Sequence, residues 1–270
     1  MHERISVNSM CFPGATMAEL ARHWSQLGAQ RVSLISQQLA DGPEPVRAAL
    51  VTGRYILETI THPFLGPRHL TDQESDWHAP RAALLRLIDD ANLLGARSIY
   101  MLTGGHGALS WEEAAAAFSA AIAPCVTRAR DAGVALMIEN APALYADIHI
   151  AHTLRDTITL AEMAGIGVCI DIFGCWTEAG LRESVARATP RCQLVQVGDY
   201  VYGDRSLPSR AVPGDGVIPW QRILGWILKA GYSGAFDLEL IGPRIEREGY
   251  FAAVGRAGHE LGLILQSLGA

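Results

Sequence analysis

The 270-residue chain has no apolar run approaching the roughly 18 to 20 residues that a membrane span needs. Its start, Met1-His-Glu-Arg-Ile-Ser, lacks the apolar stretch of a secretory signal. Cysteines are few: Cys11, Cys125, Cys169, Cys175 and Cys192 are odd in number, scattered, and nowhere at zinc-finger spacing. They read as reduced thiols of a cytoplasmic protein. A basic excess is also missing. The net charge of −6 argues against a nucleic-acid-binding surface. There is no low-complexity tract and no break in composition, so residues 1–270 read as a single domain. No Gly-x-Gly-x-x-Gly follows the first strand-like segment, and a doubly wound sheet with a dinucleotide crevice therefore lacks its signature.

What is present is alternation. Short apolar runs read as strands at Ile5 to Asn8, Arg31 to Ile35, Arg54 to Ile60, Ser98 to Thr103, Val134 to Glu139, Gly167 to Asp171, Cys192 to Val197 and Gly234 to Glu239. Most lack period-two alternation, as strands buried on both faces do. Between them, Met17 to Leu27, Arg81 to Leu94 and Trp111 to Ala132 carry apolar residues at helical spacing, and Gly28, Gly95 and Gly133 follow as stops. Ser206 to Gly216, rich in Pro, Gly and Arg, reads as a loop. Eight alternating units in this length predict an α/β fold, a single (β/α)8 TIM barrel with its site at the carboxyl ends of the strands.

Four polar residues stand at those ends: Glu139, Asp171, Gln196 and Glu239. An ionisable group at the end of a buried strand is costly without a partner. Three carboxylates and an amide oxygen together make a hard oxygen cage suited to a divalent metal, Mn2+ or Mg2+ before Co2+ or Zn2+.

At these residues the chain resembles the xylose-isomerase-like barrel superfamily of sugar phosphate isomerases and epimerases. Met137-Ile-Glu139-Asn140 resembles its metal-binding Glu-Asn segment, and Gly167-Val-Cys-Ile-Asp171 its aspartate strand. Leu194-Val-Gln196-Val-Gly-Asp199 resembles its His-x-His/Gln-x-x-Asp strand, and Pro213-Gly-Asp-Gly216 its Pro-Gly-x-Gly loop. Gly231-Tyr-Ser-Gly234-Ala-Phe-Asp-Leu-Glu239 is similar to its last strand. The resemblance implies a metal held by Glu139, Asp171, Gln196 and Glu239 against neighbouring oxygens of a hydroxy-carbonyl substrate. It implies an enediolate, with Glu139 and Glu239 as the two bases that exchange protons with carbon. Epimerisation, aldose–ketose isomerisation and dehydration all follow from that chemistry.

Three family positions are stripped of polarity. Gly174 stands where Asp-x-x-His would place a histidine, Leu194 replaces the first histidine of its strand, and Gly198 stands where lysine is frequent. With Phe12, Phe173, Trp176, Tyr200 and Tyr202 nearby, this points to a broader apolar pocket and a bulkier or less polar substrate, a cyclic polyol ketone or an aryl-bearing sugar derivative. His62 and His106 follow the third and fourth strands, where either could supply the missing donor. Arg210 resembles a family arginine that reaches substrate oxygens, so His62, His106, Arg210, Phe173 and Trp176 form the expected substrate-binding set. Asp199 is expected to support the metal shell or to cap its loop. Glu58, inside the third strand, is either buried and paired or exposed by a one-residue slip. The Gly104-Gly105-His106-Gly107 run is either an anion cradle or a tight turn.

The leading function is a metal-dependent isomerase or epimerase of a small-molecule substrate, without nucleic-acid or membrane partners; homo-oligomer formation stays open. A lyase or dehydratase of the same superfamily and a non-catalytic ligand-binding barrel are the alternatives. An apurinic endonuclease, which also belongs to the superfamily, is disfavoured by Gly174 and by the acidic charge.

Overall fold

A computed structural model describes all 270 residues. Eight parallel strands pair in sequence order and close into a barrel. They are β1 Ile5–Asn8, β2 Arg31–Ile35, β3 Ile56–Pro63, β4 Ser98–Leu102, β5 Ala135–Glu139, β6 Gly167–Asp171, β7 Cys192–Val197 and β8 Ala235–Leu238. One main helix follows each: α1 Met17–Leu27, α2 Glu44–Gly53, α3 His78–Leu94, α4 Trp111–Ala132, α5 Leu154–Ala164, α6 Leu181–Ala188, α7 Trp220–Lys229 and α8 Tyr250–Ser267. No helix is long and apolar enough to cross a membrane. All five cysteines are free and buried.

Local chemistry sets the helix ends. Thr16 with Glu19 and Ser110 with Glu113 form capping boxes that satisfy the first amides of α1 and α4. Gly28, Gly95 and Gly133 adopt the left-handed conformation that ends a helix, as the sequence predicts. The third strand departs from expectation. Arg54 is not in it but ends α2 with a left-handed φ of 54°, so β3 starts at Ile56 and runs on to Pro63.

A register shift between β2 and β3 settles Glu58. Val32 pairs with Leu57 and Ser33 with Thr59, which leaves Glu58 as the extra residue of a bulge. Its carboxylate is buried and ion-paired with Arg31, with Arg97 at 3.8 Å. The bulge therefore directs a charge that the strand pattern alone could not place.

The barrel interior has two chemically distinct halves. Tyr100, Met137, Cys169, Leu194 and Ala235 form a buried apolar layer from β4 through β8. Leu194 thus completes packing below the strand ends instead of presenting a donor to them. Around β1, β2 and β8 the interior is polar: Ser6 and Ser33 hydroxyls lie 2.8 Å apart, and Asn8 Nδ2 donates to Asp237 Oδ2 at 2.8 Å. Burial raises the Asp237 carboxyl to about 6 against these hydrogen bonds.

Candidate active site

The strand ends open into a cavity of about 150 Å³. Glu139, Asp171 and Glu239 line it together with Arg210, Thr61 and Tyr100. Met10, Pro142, Tyr145, Ile148 and Ile241, from the loops beyond β1, β5 and β8, stand at its mouth. The predicted quartet is thus at one site, since Gln196 donates its Nε2 both to the Tyr100 hydroxyl at 3.0 Å and to Glu239.

Arg210 is the organising cation. Its guanidinium donates two hydrogen bonds to Asp171, both 2.9 Å, and a third to Glu239 Oε1 at 3.1 Å. It is 7 % exposed and lies 4.1 Å from the Phe173 ring centre, so an aromatic face packs on it. Gly198 makes this reach possible. A Cβ there would stand 2.7 Å from the Glu239 carbonyl oxygen and 3.0 Å from Arg210 Cδ. Gly174 has a similar cause: a Cβ would lie 2.7 Å from Asn140 Nδ2. That amide spans to β6, donating to the Asp171 carbonyl at 2.8 Å and accepting from the Asp171 N–H at 3.0 Å. Both missing side chains are therefore steric requirements of the neighbouring polar network.

The loop that carries Arg210 is built on Asp199. This fully buried carboxylate accepts from the N–H groups of Tyr200, Gly214, Gly216 and Ile218 and from Trp220 Nε1, at 2.7 to 3.1 Å. Gly216 leaves no space for a Cβ beside it. Asp199 caps the loop, and the Arg210 N–H then bonds Ile241 O at 3.1 Å, fixing the loop to the end of β8.

Charge is unbalanced. Three carboxylates face one guanidinium. Burial raises Glu139 well above the ordinary carboxylate range, and the nearby Glu239 and Asp171 add to the rise. Burial also pushes Glu239 up to about 7, while Arg210 opposes it. Both carboxyls thus bind protons more tightly than an ordinary carboxylate, a property suited to moving protons at carbon.

Not every expected residue is at the cavity. Thr61 faces it, so His62, the next residue of β3, faces the helical layer and lies 3.2 Å from the Ser36 hydroxyl. Burial lowers its pKa to about 4. His106 is exposed and bonds within its own turn to Leu109 O at 3.0 Å. Gly104 and Gly105 serve close loop packing rather than an anion: Gly104 N–H donates to Ile148 O at 2.8 Å, and a Cβ on Gly105 would stand 2.8 Å from Asp147 O. Phe12 stacks on His23, and Trp176, Tyr200 and Tyr202 pack on one another at the rim. None of them, nor Phe173, lines the cavity. The broad aromatic pocket expected from sequence is absent because these rings find partners among themselves.

Two contributors carry no sequence signal. Buried His149 accepts from the Thr103 N–H through Nδ1, 3.2 Å, and donates through Nε2 to the Glu139 carbonyl at 2.9 Å. Burial lowers its pKa to about 4 and keeps it neutral for that role. Tyr145, from a short turn after β5, leans toward the charged groups; burial raises its phenol, with Arg210 opposing and the carboxylates reinforcing the rise.

In kind the donors suit a divalent cation, because the hard oxygen atoms of Glu139, Asp171 and Glu239 gather at one cavity. Their aim is set otherwise. No three acidic, histidine or cysteine groups converge on one point, Arg210 bridges two of the carboxylates, and the Gln196 Oε1 faces Cys169 Sγ at 3.3 Å.

The same architecture recurs in known structures. Protein SMc04130 from Sinorhizobium meliloti 1021 superposes with a TM-score of 0.85 at 23% identity, over 98% of both chains. The IolI protein with a bound zinc atom gives 0.82 at 13% identity, over 98% of this chain and 99% of that one. A D-psicose 3-epimerase crystallised with D-fructose gives 0.79 at 16% identity, over 99% and 100%. At these identities the likeness establishes the fold. No functionally curated protein matches the chain. The family model for the xylose isomerase-like TIM barrel matches residues 14–259, nearly the whole chain, and the protein belongs to that family.

Proposed function

We propose that the protein is an isomerase or epimerase of a sugar-type hydroxy-carbonyl compound, with Glu139 and Glu239 exchanging protons at the carbon beside the carbonyl. The observation that carries this reading is the pair of partly buried carboxyls, Glu139 and Glu239, lining one cavity beside Arg210. Their environments differ, which separates their roles. Glu239, held down by Arg210, is the one available as a base. Glu139, raised by burial and without a direct ion pair, is the one that would return a proton. Arg210 faces the same space and would stabilise the oxyanion that develops on the substrate. Solved relatives named as a psicose 3-epimerase and an L-ribulose 3-epimerase support the reaction class.

The residues that would hold a divalent cation are Glu139, Asp171, Gln196 and Glu239, once Arg210 withdraws from the carboxylates. Such an ion supplies Lewis acidity toward the two substrate oxygens. An Mn2+ or Mg2+ ion matches the oxygen donors better than Zn2+, although a relative carries zinc. A small-molecule substrate, rather than nucleic acid, fits the net charge of −6. The buried free thiols fit a cytoplasmic location.

The test is solvent-proton exchange. Hydroxy-ketones incubated with the protein in D2O, with and without Mn2+, are followed by NMR. Deuterium at the carbon beside the carbonyl is expected with the ion present. No incorporation in any compound would remove the reading.

A further inference from the structure

The cavity also says what size and surface the substrate has; this step rests on the proton-transfer reading above. Its volume is about 150 Å³. A void of about that size takes one benzene ring, which sets a scale of roughly 25 Å³ per non-hydrogen atom. About six such atoms therefore fit, whereas a ketohexose with twelve would need about twice the space.

The lining is divided. Strand-end residues Glu139, Asp171 and Glu239 form the charged side together with Arg210. The mouth, built from the loops after β1, β5 and β8, is Met10, Pro142, Ile148 and Ile241, with Leu102 at the end of β4. Tyr145 is the one polar side chain among the mouth loops, near enough to Arg210 and the carboxylates to feel their charge. A hydroxyl on the far end of a substrate would meet apolar atoms there and lose its water without a replacement. A phosphate would do worse. Arg210 is the one cationic side chain in the lining, and it lies among the strand-end carboxylates Asp171 and Glu239, not at the apolar mouth where a distal phosphate would sit.

We propose that the substrate is a compact, uncharged hydroxy-ketone of three or four carbons whose distal end is a methyl or methylene group. The departures at Gly174, Leu194 and Gly198 agree with this. They remove donors and keep the cavity small, since Leu194 fills the layer below and Gly198 admits the Arg210 stem. The proposal thus retains the less polar half of the sequence expectation and replaces the bulkier half.

The probes are 1,3-dihydroxybutan-2-one, erythrulose, fructose and fructose 6-phosphate, which grow from a terminal methyl to one hydroxyl, to a hexose, to a phosphate. Deuterium exchange with the Mn2+-supplemented protein is measured on each, and thermal melting with each is measured in parallel. The methyl-ended ketone is expected to exceed erythrulose by about 10- to 100-fold in kcat/KM, the range an apolar pocket gives against an added hydroxyl. The hexoses are expected to show no measurable exchange. In Ile241→Ala and Ile148→Ala, which widen the mouth, fructose should gain relative to the four-carbon ketone. Equal or faster exchange on erythrulose or fructose by the wild type overturns the proposal. If no compound exchanges, the proton-transfer reading falls, and melting decides the size claim. A larger rise with 1,3-dihydroxybutan-2-one than with fructose upholds it, and the reverse or no difference overturns it.

Discussion

Replacing Arg210 by methionine keeps the length of the stem but removes the charge that holds Asp171 and Glu239 together. Three hydrogen bonds of 2.9, 2.9 and 3.1 Å are lost from a guanidinium that is 7 % exposed. Two carboxylates stay behind in a site that already raises the proton affinity of Glu139. Removing one partner of a buried ion pair costs about 3–5 kcal/mol, and that is the expected loss at pH 8 for the protein without added metal. The loss should shrink on acidification. Burial raises Glu239 to about 7 from 4.5, and Arg210 opposes the rise, so without Arg210 the folded-state value climbs further. A carboxyl raised by folding contributes stability below its unfolded value near 4.5 and gives it up as pH climbs through the folded value. Below about 7 both proteins lose the same amount; the variant falls further behind the wild type as pH climbs from about 7 toward 8, by about 1 kcal/mol. Urea unfolding followed by circular dichroism at pH 5 and pH 8 measures both quantities. Adding Mn2+ should restore more stability to the variant than to the wild type, because the ion supplies the missing positive charge. A loss under about 1 kcal/mol at both pH values would mean that the guanidinium holds nothing together, and the electrostatic reasoning would be wrong.

Two other substitutions probe the same network. Asp199→Asn leaves five N–H donors around a neutral amide and should cost about 2–4 kcal/mol, with faster amide exchange at Gly214, Gly216 and Ile218; unchanged exchange there would show that the loop is held by other contacts. Gly174→His restores the residue type that the family pattern leads one to expect, yet its Cβ meets Asn140 Nδ2 at 2.7 Å. It should lower stability by about 1–3 kcal/mol and gain no activity, whereas a stable, faster variant would contradict the steric account.

Much of this architecture is written locally. Strands buried on both faces, capping residues such as Ser110 and left-handed glycines such as Gly133 declare themselves within a few residues, so the barrel and most element limits follow. The four strand-end residues are legible for the same reason, since each stands at or near the carboxyl end of a short, mostly apolar run. What depends on distant partners is not. Glu58 needs the β2–β3 bulge, and His62 needs the pleat of β3 to be known before its side can be assigned. Gly174 and Gly198 read as lost functional groups in sequence. Their cause lies in Asn140 and Arg210, 34 residues before the one and 12 after the other. His149 supports Glu139 from a loop with no periodicity to mark it.

The central claim is that Glu139 and Glu239 move protons at a carbon of the substrate. Glu139→Gln and Glu239→Gln keep the shape of each side chain while removing its titration, so both should fold with stability at pH 8 equal to or above that of the wild type. Deuterium incorporation into 1,3-dihydroxybutan-2-one, measured by NMR for the Mn2+-supplemented wild type and both variants, tests the claim most directly. The account predicts incorporation by the wild type and a loss of at least ~100-fold in each variant. Incorporation at the wild-type rate in either variant would contradict it.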